Sequence, residues 1–248
     1  MIAELRATLA RRFPDALPLS YRTAITVATG IAELDDLLPN GGLPRGRLTL
    51  WAPGGGVTAV LRGACANVIR RGERSAWVDG AGTVAEAWPE GSLLLRAVTE
   101  QDALVCAEEL LRSGGFALVG LSGASKAVSR EAVRLSRAAK VGGSAFVAIG
   151  TESALASLRL ESRLPPDGYR WRLDPFGQPV EVELVRVEVE ARSMGWSGVT
   201  SFELPVVNRT VRLAPDPLLV DRRGVLKQPY RRGRDKRRAV SGDERQCR

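Results

Sequence analysis

Apolar positions recur along this chain with two different periods. Ile2, Leu5, Leu9 and Phe13 fall on one helical face, with Arg6, Arg11 and Arg12 elsewhere, which predicts a short amphipathic helix over 2–13 ended by Pro14 and Pro18. Ile31, Leu34, Leu37 and Leu38 predict a second helix, with Thr29 as its N-cap and Pro39-Asn40-Gly41-Gly42 as its stop. Between Leu48 and Leu61 the pattern reads as a buried strand, a glycine turn and the start of a helix that runs over 59–71 to Gly72. Strands follow over 74–79, 92–98, 116–121 and 144–149, with helices over 101–111 and 131–139 between them, the second turning Val133 and Leu135 partly inward. Strands and helices in alternation with short links predict a parallel, doubly wound α/β sheet. Beyond residue 150 the period changes to two over 155–164, 169–173 and 180–190, with one more strand over 202–207. These predict antiparallel strands extending the sheet at its C-terminal side, one face buried and one solvated.

The glycine turn is the feature with candidate chemistry. A strand feeding a glycine-rich turn and a helix N-terminus is the geometry of a phosphate-binding loop, whose pattern is G-x-x-x-x-G-K-S/T. Against it the chain sets Ala52-Pro53-Gly54-Gly55-Gly56-Val57-Thr58. Ala52 stands for the first glycine, the turn is one residue short, and Val57 stands for the lysine; Gly56 and Thr58 keep their places. Valine cannot bring positive charge to the β- and γ-phosphates. The loop therefore reads as a nucleotide-binding scaffold stripped of its chemistry, with only an anion contact at the amides of Gly55, Gly56 and Val57 left open, or as a glycine-rich turn that never bound phosphate.

Composition narrows the field. The 248 residues, 44% hydrophobic and 26% charged, suit one full-size core. No apolar run approaches the ~20 residues of a membrane span, and the start of the chain has no signal-peptide core, so a cytoplasmic protein is expected. Histidine is absent, which excludes Ser-His-Asp and Cys-His catalysis but leaves phosphoryl transfer open. Cys65, Cys106 and Cys247 lack metal-ligand spacing; no metal or cofactor is expected, and Cys65 and Cys106 read as reduced core residues.

The net charge of +8 is uneven. Residues 221–248 hold eleven Lys/Arg against four Asp/Glu, a net +7, which leaves +1 for residues 1–220. The cluster Tyr230-Arg231-Arg232-Gly233-Arg234-Asp235-Lys236-Arg237-Arg238 marks this tail as a contact for DNA or a protein partner, or as a solvated chain end; 222–248 is expected to be disordered. Trp51 and Trp77 read as core. Trp196, in a glycine-rich link, reads equally as a partner anchor or a hairpin staple.

The order of these pieces resembles the core of the RecA recombinase family. The resemblance covers roughly 27–204 and rests on VATGIAELDDLL and GGLPRGRL before the loop, SAWVDGAG after the first helix, RSGGFALVGLS as the Walker B strand and GGSAFVAIG as the next strand. It implies a RecA-like P-loop core. It also implies losses: the water-activating glutamate falls on Ala81, the Walker B aspartate on Gly120, and the polar residue ending the following strand near Gly150 or Thr151. The first DNA-binding loop would be shortened within 122–130, and the second reduced to Thr151-Glu152-Ser153.

A short RecA-like chain with a degenerate site and a basic tail is similar to the ImuA family of the bacterial mutagenesis cassette. That resemblance implies a non-catalytic, nucleoid-associated accessory role in damage-induced translesion synthesis. Its implied partners are an ImuB-like protein, an error-prone DNA polymerase and RecA, with DNA contact through the tail and self-association both open. The alternative is a divergent RecA-like ATPase, or a DNA-binding regulator of recombination or cell division. The implied organisation is an N-terminal helix and linker over 1–25, a RecA-like core over 26–215 and a basic tail over 216–248.

Overall fold

The computed structural model of the chain describes residues 25–80, 82, 88–123, 129–150 and 155–206, all within the unit Met1–Val207. The helix expected over 2–13 and the basic tail lie outside the described residues.

The chain is α/β. Six strands form the parallel part of the main sheet: β3 (Leu48–Trp51), β4 (Ser75–Asp79), β5 (Leu93–Arg96), β6 (Leu118–Ser122), β7 (Ala145–Ile149) and β8 (Leu158–Arg163). Their spatial order is β8-β3-β7-β6-β4-β5. β3, β4 and β6 are buried at every position, as strands covered on both faces must be, and for that reason they read as mostly apolar runs, with polar residues such as Asp79 and Ser122 at their ends.

The two faces are covered by different helices. Val57, Val60, Leu61, Ala64 and Val68 of α2 (Val57–Arg70) pack on Trp51, Trp77 and Val147. Leu104, Ala107 and Leu111 of α3 (Glu100–Arg112), with Leu135, Ala138 and Ala139 of α4 (Ser129–Gly142), pack on Val78, Val119, Leu121 and Phe146. Neighbours Trp77 and Val78 thus serve opposite layers, as the two-residue period of a strand requires. Glu108 of α3 is buried between α3 and α4 and held by Arg112 at 2.8 Å and by Arg134.

The sheet continues with antiparallel β10 (Pro179–Ser193) and β11 (Trp196–Pro205) beyond β8, while β9 (Tyr169–Leu173) pairs only with the first half of β10. Leu158, Leu160, Val187, Val189, Ala191 and Phe202 join the α2 layer. The opposite face carries Arg159, Glu161 and Arg163 beside Glu188, Glu190 and Arg192. This is the half-buried alternation expected of the region.

Three local expectations change. The helix α1 (Ala32–Leu37) has Ile31 at its N-cap without a side-chain cap. Thr29 instead lies before the turn, donating its N–H and its hydroxyl to Asp35 Oδ1 at 2.7 and 2.9 Å, while Gly30 donates to Asp35 Oδ2. The Asp35 carboxylate thus reaches back from inside the helix to tie down the two residues before its N-cap. The strand expected from residue 155 starts at Leu158. The last strand starts at Trp196 rather than Phe202, because Met194-Gly195 makes a two-residue hairpin turn with Gly195 at φ +69°. Trp196 accordingly opens β11 and does not lie in a link. The remaining described elements are a two-stranded pair, β1 (Thr26–Val27) with β2 (Leu43–Pro44), and a 3₁₀ turn over Pro39–Gly41.

Candidate functional site

The glycine loop joins β3 to α2 at the carboxyl end of the parallel strands, where open α/β sheets place their ligands. Its surroundings come from β8 and β10. Ala52 N–H donates to Leu160 O at 2.7 Å, so the loop leaves β3 still paired to β8. A β-carbon on Gly54 would collide with the carbonyl oxygen of Ser162. One on Gly55 would lie 2.5 Å from Leu164 Cγ, and one on Gly56 3.1 Å from both methyls of Val187. Gly56 also has φ +87°, a left-handed backbone that disfavours other residues. All three glycines are therefore demanded by the chain's own packing.

A buried hydrogen-bond chain fastens the loop. Trp51 Nε1–H donates to Ser162 Oγ at 3.3 Å, and Ser162 Oγ–H donates to the carbonyl oxygen of Gly55 at 2.9 Å. Pro53 is exposed and Thr58 half-buried. Val57, at the lysine's position, is 3% exposed and belongs to the α2 layer of the core. A side chain pointing inward from this position meets Trp51 and its neighbours rather than a ligand.

The expected carboxylate positions separate. Ala81 lies outside the described residues. Gly120 sits mid-strand in β6, opposite Trp77 of β4, and a β-carbon there would collide with the indole ring. The position is a bed for Trp77, and its glycine has a packing cause. At the strand ends lies the polar group that sequence reasoning passed over. Trp77 Nε1–H donates to Ser122 Oγ at 3.3 Å, and Ser122 Oγ–H donates to Asp79 Oδ1 at 2.8 Å, with both Asp79 and Ser122 buried. Trp88, the other aromatic near this end, packs at a tilt of 52° against Trp77 with ring centroids 5.4 Å apart and donates to Ser92 Oγ. Trp51 and Trp77 are fully buried, as expected of core residues.

On the opposite face of the sheet, at the same end, an open groove of about 170 Å³ has Leu50, Ala52 and Gly150 at its floor. Its rim carries Arg159 and Arg192 on one rung of the β8–β10 ladder and Glu161 and Glu190 on the next. Like charges face each other across the strands and opposite charges alternate along them. Arg192 bonds Glu190 at 2.7 Å, which holds the Glu190 carboxyl below its usual range and pushes Arg192 up. The rim is charge-balanced and offers no concentrated positive field to a phosphate.

Tyr230, Arg231, Arg232, Arg234, Lys236, Arg237 and Arg238 lie outside the described residues, as do Thr151-Glu152-Ser153 and 124–128 of the expected DNA-binding loops. Among the described residues no three Asp, Glu or Cys side chains gather as a metal site, and no helix is long and apolar enough to cross a membrane. Comparison with protein-family models gives no match, and comparison with curated proteins gives none either.

Leu164 and Val187 are the residues that decide what the loop is, and both were legible only as strand positions. Leu164 continues the inward series Leu158, Leu160, Ser162; nothing in the sequence places that series against the glycines, because the contact links residues more than a hundred positions apart.

Proposed function

We propose that this chain is a non-catalytic, RecA-like accessory protein of the ImuA type, acting in damage-induced mutagenic translesion synthesis through protein contacts. The observation that carries the reading is the filled glycine loop. Leu164 and Val187 press on Gly55 and Gly56, Ser162 holds the Gly55 carbonyl, and Val57 is turned into the core. A loop so supported serves as a turn that fixes β3 to α2, and the glycines need no phosphate to explain them. The parallel sheet with helices on both faces, extended by antiparallel strands, agrees with a RecA-like core. Its role is then that of a platform, with recognition carried by surfaces and by the basic tail.

Under this reading the partners are an ImuB-like protein, an error-prone polymerase and RecA, and the tail supplies the docking charge. The test is co-purification of the full chain with each of these proteins from one host. It is compared with a full chain in which Arg231, Arg232, Arg234, Lys236, Arg237 and Arg238 are glutamine. Loss of complex with the glutamine variant supports the protein-docking role. Weak partner binding with tight duplex binding points instead to DNA: log K would then fall against log salt with slope about −0.9 per phosphate neutralised. Full-strength binding of partner and DNA by the glutamine variant contradicts both.

A further inference from the structure

The ribbon formed by β9 and the first half of β10 carries an apolar face that the rest of the described chain leaves bare. Cross-strand pairing sets Tyr169 opposite Val185 and Trp171 opposite Val182, with Leu173 opposite Pro179. Residues paired in this way share a face. Tyr169 is 41% exposed, Trp171 48% and Leu173 58%. In the turn that follows, Phe176 is 87% exposed. That turn is locked. Asp174 Oδ1 accepts the N–H groups of Phe176 and Gln178 at 2.8 and 2.9 Å, and Asp174 N–H donates to the carbonyl oxygen of Gln178 at 2.9 Å. An aromatic held on a fixed turn loses little backbone freedom when it is covered, which favours its use as a contact.

The ribbon's charges decide the chemistry of the occupant. Arg172 is paired with Glu181 at 2.5 Å, Arg186 with Asp167 at 2.5 Å and Arg170 with Glu203 at 3.4 Å. Residues 165–186 carry three arginines against four acidic residues, a net −1. A nucleic-acid strand or an anionic membrane is drawn by surplus positive charge beside the aromatic rings, and here each guanidinium is engaged within the chain. The occupant is thus a protein surface that is itself apolar and brings no compensating charge. The same face of a second copy meets both conditions.

Area agrees with that occupant. With aromatic side chains at ~150–250 Å² each, Tyr169, Trp171, Leu173 and Phe176 together expose on the order of 500 Å². Two copies would bury about 1,000 Å², the lower bound of a specific interface and far below that of an obligate one. The mode of contact follows from the opposite face of β9, which holds Arg170 and Arg172. A two-fold axis that joined two β9 edges into one continuous sheet would set arginine against arginine, and like charges directly opposite are destabilising. Packing the apolar faces on each other, as stacked sheets do at about 10 Å, keeps the arginines on the outer sides.

We propose that the apolar face of this ribbon packs on the same face of a second copy of the chain, across a two-fold axis near Trp171, to form a reversible dimer. The inference stands apart from the ImuA reading, since it uses neither the glycine loop nor the basic tail.

Sedimentation equilibrium of the full chain across protein concentrations tests it. The mass should rise from monomer to dimer and stop there, with a dissociation constant on the order of micromolar. Trp171→Asp and Trp171→Lys, each alone, should weaken the dimer at least tenfold, because each sets like charges together at the axis. An equimolar mixture of the two variants should recover it. Met194→Ser, an exposed position at the other end of β10, should leave it unchanged. A chain that stays monomeric overturns the proposal, and so does a dimer that both Trp171 variants keep. Loss in both variants without recovery in the mixture also overturns it, since the loss would then come from damage to the fold or from another face. Equal weakening by Met194→Ser, or growth beyond the dimer, contradicts the two-fold contact at Trp171.

Discussion

Leu164 occupies the space that a side chain at Gly55 would need: a β-carbon there would come within 2.5 Å of Leu164 Cγ. One residue from the end of β8 thus dictates glycine in the turn after β3, more than a hundred positions earlier. The pairing gives the loop a cause internal to the fold.

Gly55→Ala should therefore destabilise the folded chain in the absence of any ligand, by about 1–3 kcal/mol as overpacking does. In a Leu164→Ala background the same substitution should cost much less, because the clash is removed. A double-mutant cycle read by chemical denaturation measures the coupling. Additive effects would mean that the two residues are not in contact.

Gly120→Ala makes the parallel test inside the sheet. Trp77 is fully buried, braced by Trp88 and by its hydrogen bond to Ser122, so the indole cannot give way cheaply. The substitution should cost about 2–4 kcal/mol and perturb the near-ultraviolet signal of the tryptophans. A variant as stable as the parent, with an unchanged spectrum, would show that position 120 has room for a side chain.

Between α3 and α4, Glu108 is a buried carboxylate held by two exposed guanidiniums, Arg112 and Arg134. Replacing both arginines by methionine should cost about 3–5 kcal/mol, since it strands a charge. Adding Glu108→Leu should recover most of that loss. No recovery would mean that the arginines stabilise through something other than Glu108.

The Cys65 thiol gives a pH dependence. Burial pushes it from 9.0 up to about 11, against smaller opposing hydrogen bonds from Ser75 and Ser92. The unfolded chain therefore loses this proton first. Stability attached to Cys65 is intact below pH 9 and falls by about 1.4 kcal/mol per pH unit between 9 and 11. Stability measured across that window should drop more steeply for the parent than for Cys65→Ala. Parallel curves would mean the thiol titrates alike in both states.

The architecture was legible because β3, β4, β6 and β7 are mostly apolar runs and because β8 and the second half of β10 alternate. The N-cap at Thr29 was misplaced because the helix starts two residues later, at Ile31 without a side-chain cap, and Thr29 is instead held by Asp35 five or six residues downstream, which leaves no local signature. The start of β11 was missed because Ser197 and Gly198 have little strand propensity. For the candidate site, valine at position 57 could be read directly against the phosphate-loop pattern. What packs on the loop could not, since Ser162, Leu164 and Val187 reach it only through the sheet's tertiary pairing. The role of Gly120 was likewise hidden until β4 and β6 were in register.

The most direct test is a thermal melt of the full chain with and without millimolar ATP and Mg²⁺. A loop packed by its own sheet should leave the melting temperature unchanged. A nucleotide present at a hundred times its dissociation constant would add ~2.7 kcal/mol, or roughly 5–10 °C for a core of this size, and an upward shift of that order would contradict the account.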